Sequence, residues 1–112
     1  MVKTVGLLTR KKGWSHEQFM EHWTKVHAPL ALVVPGLRRY VQNHIHGERT
    51  RADIETTNVE VDGIAELWFD DQTSLERAAQ SPEMKALHAD GAKFIGRIKS
   101  YVVKELVVVG QP

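Results

Sequence analysis

The chain has 112 residues, 42% of them hydrophobic and 26% charged, the balance of one soluble globular domain rather than of a disordered or membrane-spanning chain. Fifteen Lys and Arg against fourteen Asp and Glu leave a formal charge of +1, too weak a field to recruit nucleic acid or an anionic membrane, so neither partner is expected. Cysteine is absent, which excludes disulfides, thiolate metal sites and thiol nucleophiles, and no stretch has the length of an export signal or a membrane span, so a cytoplasmic location is expected.

Val2 to Thr9 is rich in β-formers and is predicted as a buried strand ending in the basic turn Arg10 to Gly13. Ser15 followed by Gln18 has capping-box spacing, so a helix is predicted from near His16 towards Val33, stopped by Pro35-Gly36. At about 100° per residue, Phe19, Trp23, Val26, Leu30 and Val33 share an arc of roughly 80°, the stripe expected to face a sheet. Leu37 to His46 is predicted as a second strand with Arg38, Tyr40, Gln42, His44 and His46 on one face. Residues 47–60 are polar and aperiodic and are expected to form a long loop. Val61 to Phe69 is a third predicted strand, and Thr73 with Glu76 makes a second capping box. Ser81-Pro82 restarts the helix, so residues 73–90 are predicted as two short helices, ended by Gly91 and Gly96. The valine-rich run Tyr101 to Val109 is the last predicted strand.

Strand, helix, strand, strand, helix, strand is the order of a ferredoxin-like βαββαβ sandwich, an α+β fold with four antiparallel strands and both helices on one side. Two helices cover one sheet face, yet the first and last strands are apolar at consecutive positions, as in strands buried on both faces. A homodimer in which two sheets pack face to face is therefore expected.

His27 lies about 40° beyond Trp23 on the helix, at the edge of the apolar stripe. Pro29 cannot donate to the carbonyl of Lys25, so the helix is expected to kink or break at His27 and turn the imidazole towards the sheet. The structural alternative is a histidine that satisfies a freed carbonyl and packs on Trp23. Tyr40, early in the second strand, brings a phenol that can donate a proton or bind an oxyanion, or is an ordinary half-buried strand tyrosine. Glu66 is a lone carboxylate in an apolar strand, flanked on its own face by Ile64 and Trp68. It either orients a catalytic imidazole or pairs with Arg38, Arg39 or Lys93, and the structural pairing is preferred. His44 and His46 share a strand face, but no third ligand stands at a telling spacing, so no metal is expected. The chain has no GxGxxG, P-loop or GxSxG, and its third strand lacks the RNP1 pattern of RNA-recognition motifs.

The segments HWTKVHAPLA, PGLRRYVQNH, DGIAELWFDD, SPEMKAL and KSYVVKE together resemble the EthD family of dimeric α+β barrel proteins over nearly the whole chain. The resemblance implies a homodimer whose two four-stranded sheets form a barrel with the helices outside, and a small pocket between helix and sheet. Within the family the chain is similar to a cofactor-free isomerase of aromatic degradation whose acid/base histidine and tyrosine fall on His27 and Tyr40. Where that enzyme has a cysteine in its third strand, this chain has Leu67, and the loop before that strand also differs.

The expected function is that of a cofactor-independent isomerase or lyase acting by proton transfer on a small lactone or carbonyl compound of aromatic catabolism. His27 moves the proton and Tyr40 holds the developing oxyanion. Trp23, Trp68 and Phe94 are expected to wall the site, with Glu66 counted among the substrate-binding candidates. The alternatives are a non-catalytic protein that holds a hydrophobic metabolite and a cofactor-free monooxygenase of a polyphenol.

Overall fold

Residues 1–110 are described by a computed structural model, and its elements follow the predicted order. They are β1 (Val2–Arg10), α1 (His16–His22), a π-helical turn (Trp23–His27), α2 (Ala28–Ala31), β2 (Arg39–His44), β3 (Gly63–Phe69), α3 (Gln72–Ala79), α4 (Pro82–Phe94) and β4 (Ile95–Val103). All strand pairings are antiparallel in the order β2-β3-β1-β4, which is the ferredoxin-like α+β arrangement. Residues 45–60 carry no helix or strand, and among the described residues no helix is long and apolar enough to cross a membrane.

Local chemistry accounts for the element boundaries. Ser15 and Gln18 form both halves of the capping box, Gln18 N–H donating to Ser15 Oγ and Ser15 N–H to Gln18 Oε1. Ser81 caps α4, with Pro82 in its first turn where a missing N–H costs nothing. The cap of α3 is Asp71, not Thr73, because the Asp71 carboxylate accepts from Ser74 N–H at 2.8 Å and starts the helix at Gln72.

Two boundaries differ from expectation for a pairing reason. Gly91 does not end α4, which continues to Phe94 and passes directly into β4. The last strand is Ile95–Val103 and not Tyr101–Val109, because β1 supplies partners only from Arg10 back to Lys3, opposite Val103. Beyond that point the valine-rich tail has no strand to bond to, and Leu106, Val108 and Val109 are more than four-fifths exposed.

The helices lie on the sheet face made by Thr4, Gly6 and Leu8 of β1, Tyr40, Gln42 and His44 of β2 and Ala65, Leu67 and Phe69 of β3. Between them the core falls into two clusters. One gathers Ala31, Val34, Phe69, Ala78, Met84 and Leu87, the other Leu8, Phe19, Trp23 and Phe94. The middle row across the sheet, Gln42–Ala65–Gly6–Ser100, carries small residues at its centre, so the floor is low between the clusters.

Candidate active site

The histidine at the centre of the site is placed by an irregularity of the first helix. The helix does not break at His27: it widens. Ala28 N–H donates to the carbonyl of Trp23, five residues back, and the backbone stays helical through Ala31. A π turn holds about one residue more than an α turn, so everything after it advances by one position around the helix. The expected stripe of Val26 and Val33 is accordingly exposed, at 47% and 63%, while His27, Ala31 and Val34 take the inward positions. Burial of His27 therefore follows from the extra residue in the turn and not from a break at Pro29.

His27 is 8% exposed, and its Nδ1 lies 2.8 Å from Oδ2 of Asp90 on α4, which is 4% exposed. Asp90 also receives Nε2 of His22, 3.1 Å from each carboxylate oxygen. Phe94, one turn beyond Asp90, meets the His27 ring edge-on at 5.0 Å and the His22 ring at 4.6 Å. Burial lowers the His27 pKa below its ordinary 6.5, against the pull of Asp90, which favours the charged ring. Burial alone would raise Asp90, but hydrogen bonds from His27 and His22 outweigh it and hold the carboxylate ionised. A neutral ring beside an ionised carboxylate must place its hydrogen on Nδ1. Nε2 then carries the lone pair. It has no hydrogen-bond partner among the described residues and is not sealed off from the adjoining hollow.

That hollow has a volume of about 590 Å³ and lies between the two core clusters. Trp23 and His27 from the first helical layer, Tyr40 from β2 and Met84 and Leu87 from α4 line it above the floor of Gly6, Ala65 and Leu67. Its walls are mostly apolar, with His27, Tyr40, His88, Thr4 and Ser100 supplying polar atoms. Burial pushes the Tyr40 phenol above its ordinary 10.0, with Gln42 and the Trp23 indole acting in the opposite sense. Tyr40 is therefore a neutral phenol at physiological pH. A free imidazole nitrogen and a phenol in one apolar hollow are a base and a hydrogen-bond donor, the pair that proton transfer next to a carbonyl requires.

The structure brings His27, Tyr40 and Trp23 together in this hollow and places the other three sequence candidates elsewhere. Phe94 is fully buried behind His27 and supports the ring instead of lining the hollow. Glu66 and Trp68 occupy the opposite sheet face, so their expected place in the substrate pocket is corrected. Glu66 pairs with Lys3 at 3.0 Å and accepts from Asn43 at 3.0 Å, whereas Arg38, one of its expected partners, pairs with Asp70. Trp68 donates to Glu105 and lies under the cations of Lys3 and Arg39. Strand alternation separates them from Ala65, Leu67 and Phe69. Asp90 and His22 were missed by sequence reasoning. A signal existed, because Asp90 interrupts the apolar spacing of Met84, Leu87 and Phe94 along α4. His44, considered for a metal, instead meets Gln42 at 3.0 Å and stacks on Trp23, and His46 is exposed.

Residues 11–98 match the family model described as the EthD domain. The chain belongs to the EthD family. This EthD protein is 32% identical over 108 residues to 4-carboxymethyl-4-methylbutenolide mutase of Pseudomonas reinekei, a span covering 96% of this chain and 100% of that one. It is similar in structure to an EthD family protein of Bacillus halodurans C-125, with a TM-score of 0.76, 30% identity and coverage of 95% and 99% of the two chains. It also shares its fold with a dimeric protein of unknown function and ferredoxin-like fold from Bacteroides fragilis NCTC 9343, at a TM-score of 0.65, 12% identity and coverage of 93% and 95%. His27, Tyr40 and Asp90 all fall inside the segment that the EthD family model matches.

Proposed function

We propose that this EthD protein is a cofactor-independent isomerase that moves a proton on a small butenolide-type lactone of aromatic catabolism. The observation that carries the reading is His27, hydrogen-bonded through Nδ1 to a buried carboxylate and open through Nε2 to an apolar hollow shared with Tyr40. Similarity to a butenolide mutase supports the substrate class.

In the proposed reaction, Nε2 of His27 removes a proton from a carbon next to the lactone or side-chain carbonyl. The C–H electron pair moves into an enolate, whose oxygen accepts a hydrogen bond from Tyr40. Asp90 stabilises the imidazolium that forms. The imidazolium, whose N–H exchanges with solvent hydrogen, then delivers a proton to another carbon of the delocalised enolate, giving an isomer with no net change in atoms or electrons. Trp23, Met84 and Leu87 exclude water, which favours the neutral, basic imidazole.

Methyl- and carboxymethyl-substituted butenolides incubated in D2O and followed by proton NMR provide the test. Deuterium should enter the product at the carbon that receives the proton while an isomer accumulates. Binding without formation of an isomer would replace this reading with the metabolite-binding one, and oxygen uptake with a polyphenol would replace it with a monooxygenase.

The pH profile carries a second expectation. Neutral His27 is the active form and burial lowers its pKa, so kcat/KM should fall only as pH drops through a point below 6.5. Tyr40 keeps its proton to beyond pH 10.0, so the alkaline fall should begin above that value. An acid limb centred above 6.5 would show that His27 is not the base.

We further propose that the chain works as a single EthD-like domain in a cytoplasmic homodimer built by packing the outer sheet faces. Those faces carry half-buried Val5, Leu7, Val41 and Ile64 together with exposed Tyr101, an apolar surface suited to a second copy. The Bacteroides protein of the same fold is dimeric. A monomer in sedimentation at micromolar concentration would remove this assembly.

A further inference from the structure

The carbonyl oxygen of Trp23, at the start of the π turn, can only accept hydrogen bonds. Ala28 N–H reaches it along the helix, and the amide end of Gln42 approaches it from β2 at 2.9 Å. The approaching atom must therefore be Nε2, and the second hydrogen of that nitrogen is directed at Tyr40 Oη, 2.8 Å away. The amide oxygen then lies 3.0 Å from His44 Nε2, so that ring nitrogen carries a hydrogen. His44 stacks on Trp23, which holds the ring in place for this contact. The roles run in one direction: His44 donates to Gln42, and Gln42 donates to both the Trp23 carbonyl and Tyr40. Having received an N–H, the phenol oxygen has its own hydrogen left for the hollow.

We propose that Gln42 is a positioning residue, one that ties the widened turn carrying His27 to Tyr40 and fixes Tyr40 as a donor. A ligand must then present an acceptor at Tyr40, a carbonyl or carboxylate oxygen. The inference deepens the isomerase reading and rests on it for the reaction, but the hydrogen-bond assignment stands without any substrate.

The side-chain amide hydrogens of Gln42, followed by NMR at neutral pH, test the assignment directly. In Tyr40→Phe one of the two should move upfield and exchange faster while the other, held by the Trp23 carbonyl, stays put; two unchanged hydrogens would overturn the proposal. With a butenolide substrate, Gln42→Leu should lower kcat about tenfold and leave KM within about twofold, because the oriented phenol matters most as charge develops on the oxygen. Gln42→Glu should lower it about a hundredfold, since a carboxylate there accepts the phenol hydrogen that the substrate needs. A Gln42→Leu protein with the parent kcat would also overturn the proposal. A parent protein that turns over no butenolide would instead remove the isomerase reading and leave the NMR result to decide the role of Gln42.

Discussion

His27→Ala is expected to lower kcat/KM by about 10³-fold or more while the protein remains folded. The change removes the imidazole nitrogen that faces the hollow from a ring fixed by the buried Asp90 carboxylate. Asp90 is not left as an orphaned charge, because His22 Nε2 remains 3.1 Å from both of its oxygens. The gap beside Phe94 should cost roughly 2 kcal/mol, well short of unfolding a domain of this size. Asp90→Asn gives the complementary result. An asparagine amide is uncharged and has one acceptor oxygen in place of two, so the imidazolium that forms on His27 loses its counter-charge. A fall of about 10²-fold is expected, with the acid limb of the profile displaced. Steady-state kinetics beside circular dichroism separate these outcomes from unfolding, and turnover that survives His27→Ala would end the case for this base.

Gly63→Ala is expected to be strongly destabilising. A Cβ at this position would stand 2.4 Å from Cζ3 and 2.7 Å from Cη2 of Trp23, distances that require movement. The indole cannot simply lift away, because it is 1% exposed and stacks on His44 at 4.9 Å. Overpacking of this kind costs about 3 kcal/mol. The melting temperature should fall by roughly 10 °C or more. The displaced indole is also a wall of the hollow, so ligand affinity should drop along with stability. A thermal melt of Gly63→Ala matching the parent would show that the indole is free to shift.

How far the molecule was legible from its sequence depended on whether the signal was local. Capping pairs such as Ser15 with Gln18, and Pro82 after Ser81, announce helix starts because the partner atoms lie within one turn. Strand order followed from the sequence of elements. The phase of the first helix was not legible, because a period of 100° per residue assumes an α-helix throughout, whereas the turn from Trp23 to His27 holds an additional residue. His27 and Tyr40 stood out as candidates because an ionisable group on an apolar helix and a phenol on the next strand are visible locally, and both line one hollow. Asp90 acts across 63 positions, a separation at which spacing carries no information about pairing. Glu66 and Trp68 were placed on a shared face correctly, but alternation cannot say which of two mixed faces the helices will cover.

The division of the core into two clusters has a consequence for how this protein can be studied. A molecule filling the 590 Å³ between them would touch Leu87 and Met84 on one side and Trp23 and Ile95 on the other, completing an interior that is otherwise in two halves. Occupancy should therefore register as heat resistance: a compound at a hundred times its dissociation constant adds about 2.7 kcal/mol. A melting-temperature survey of small lactones can thus rank ligands before any turnover is observed.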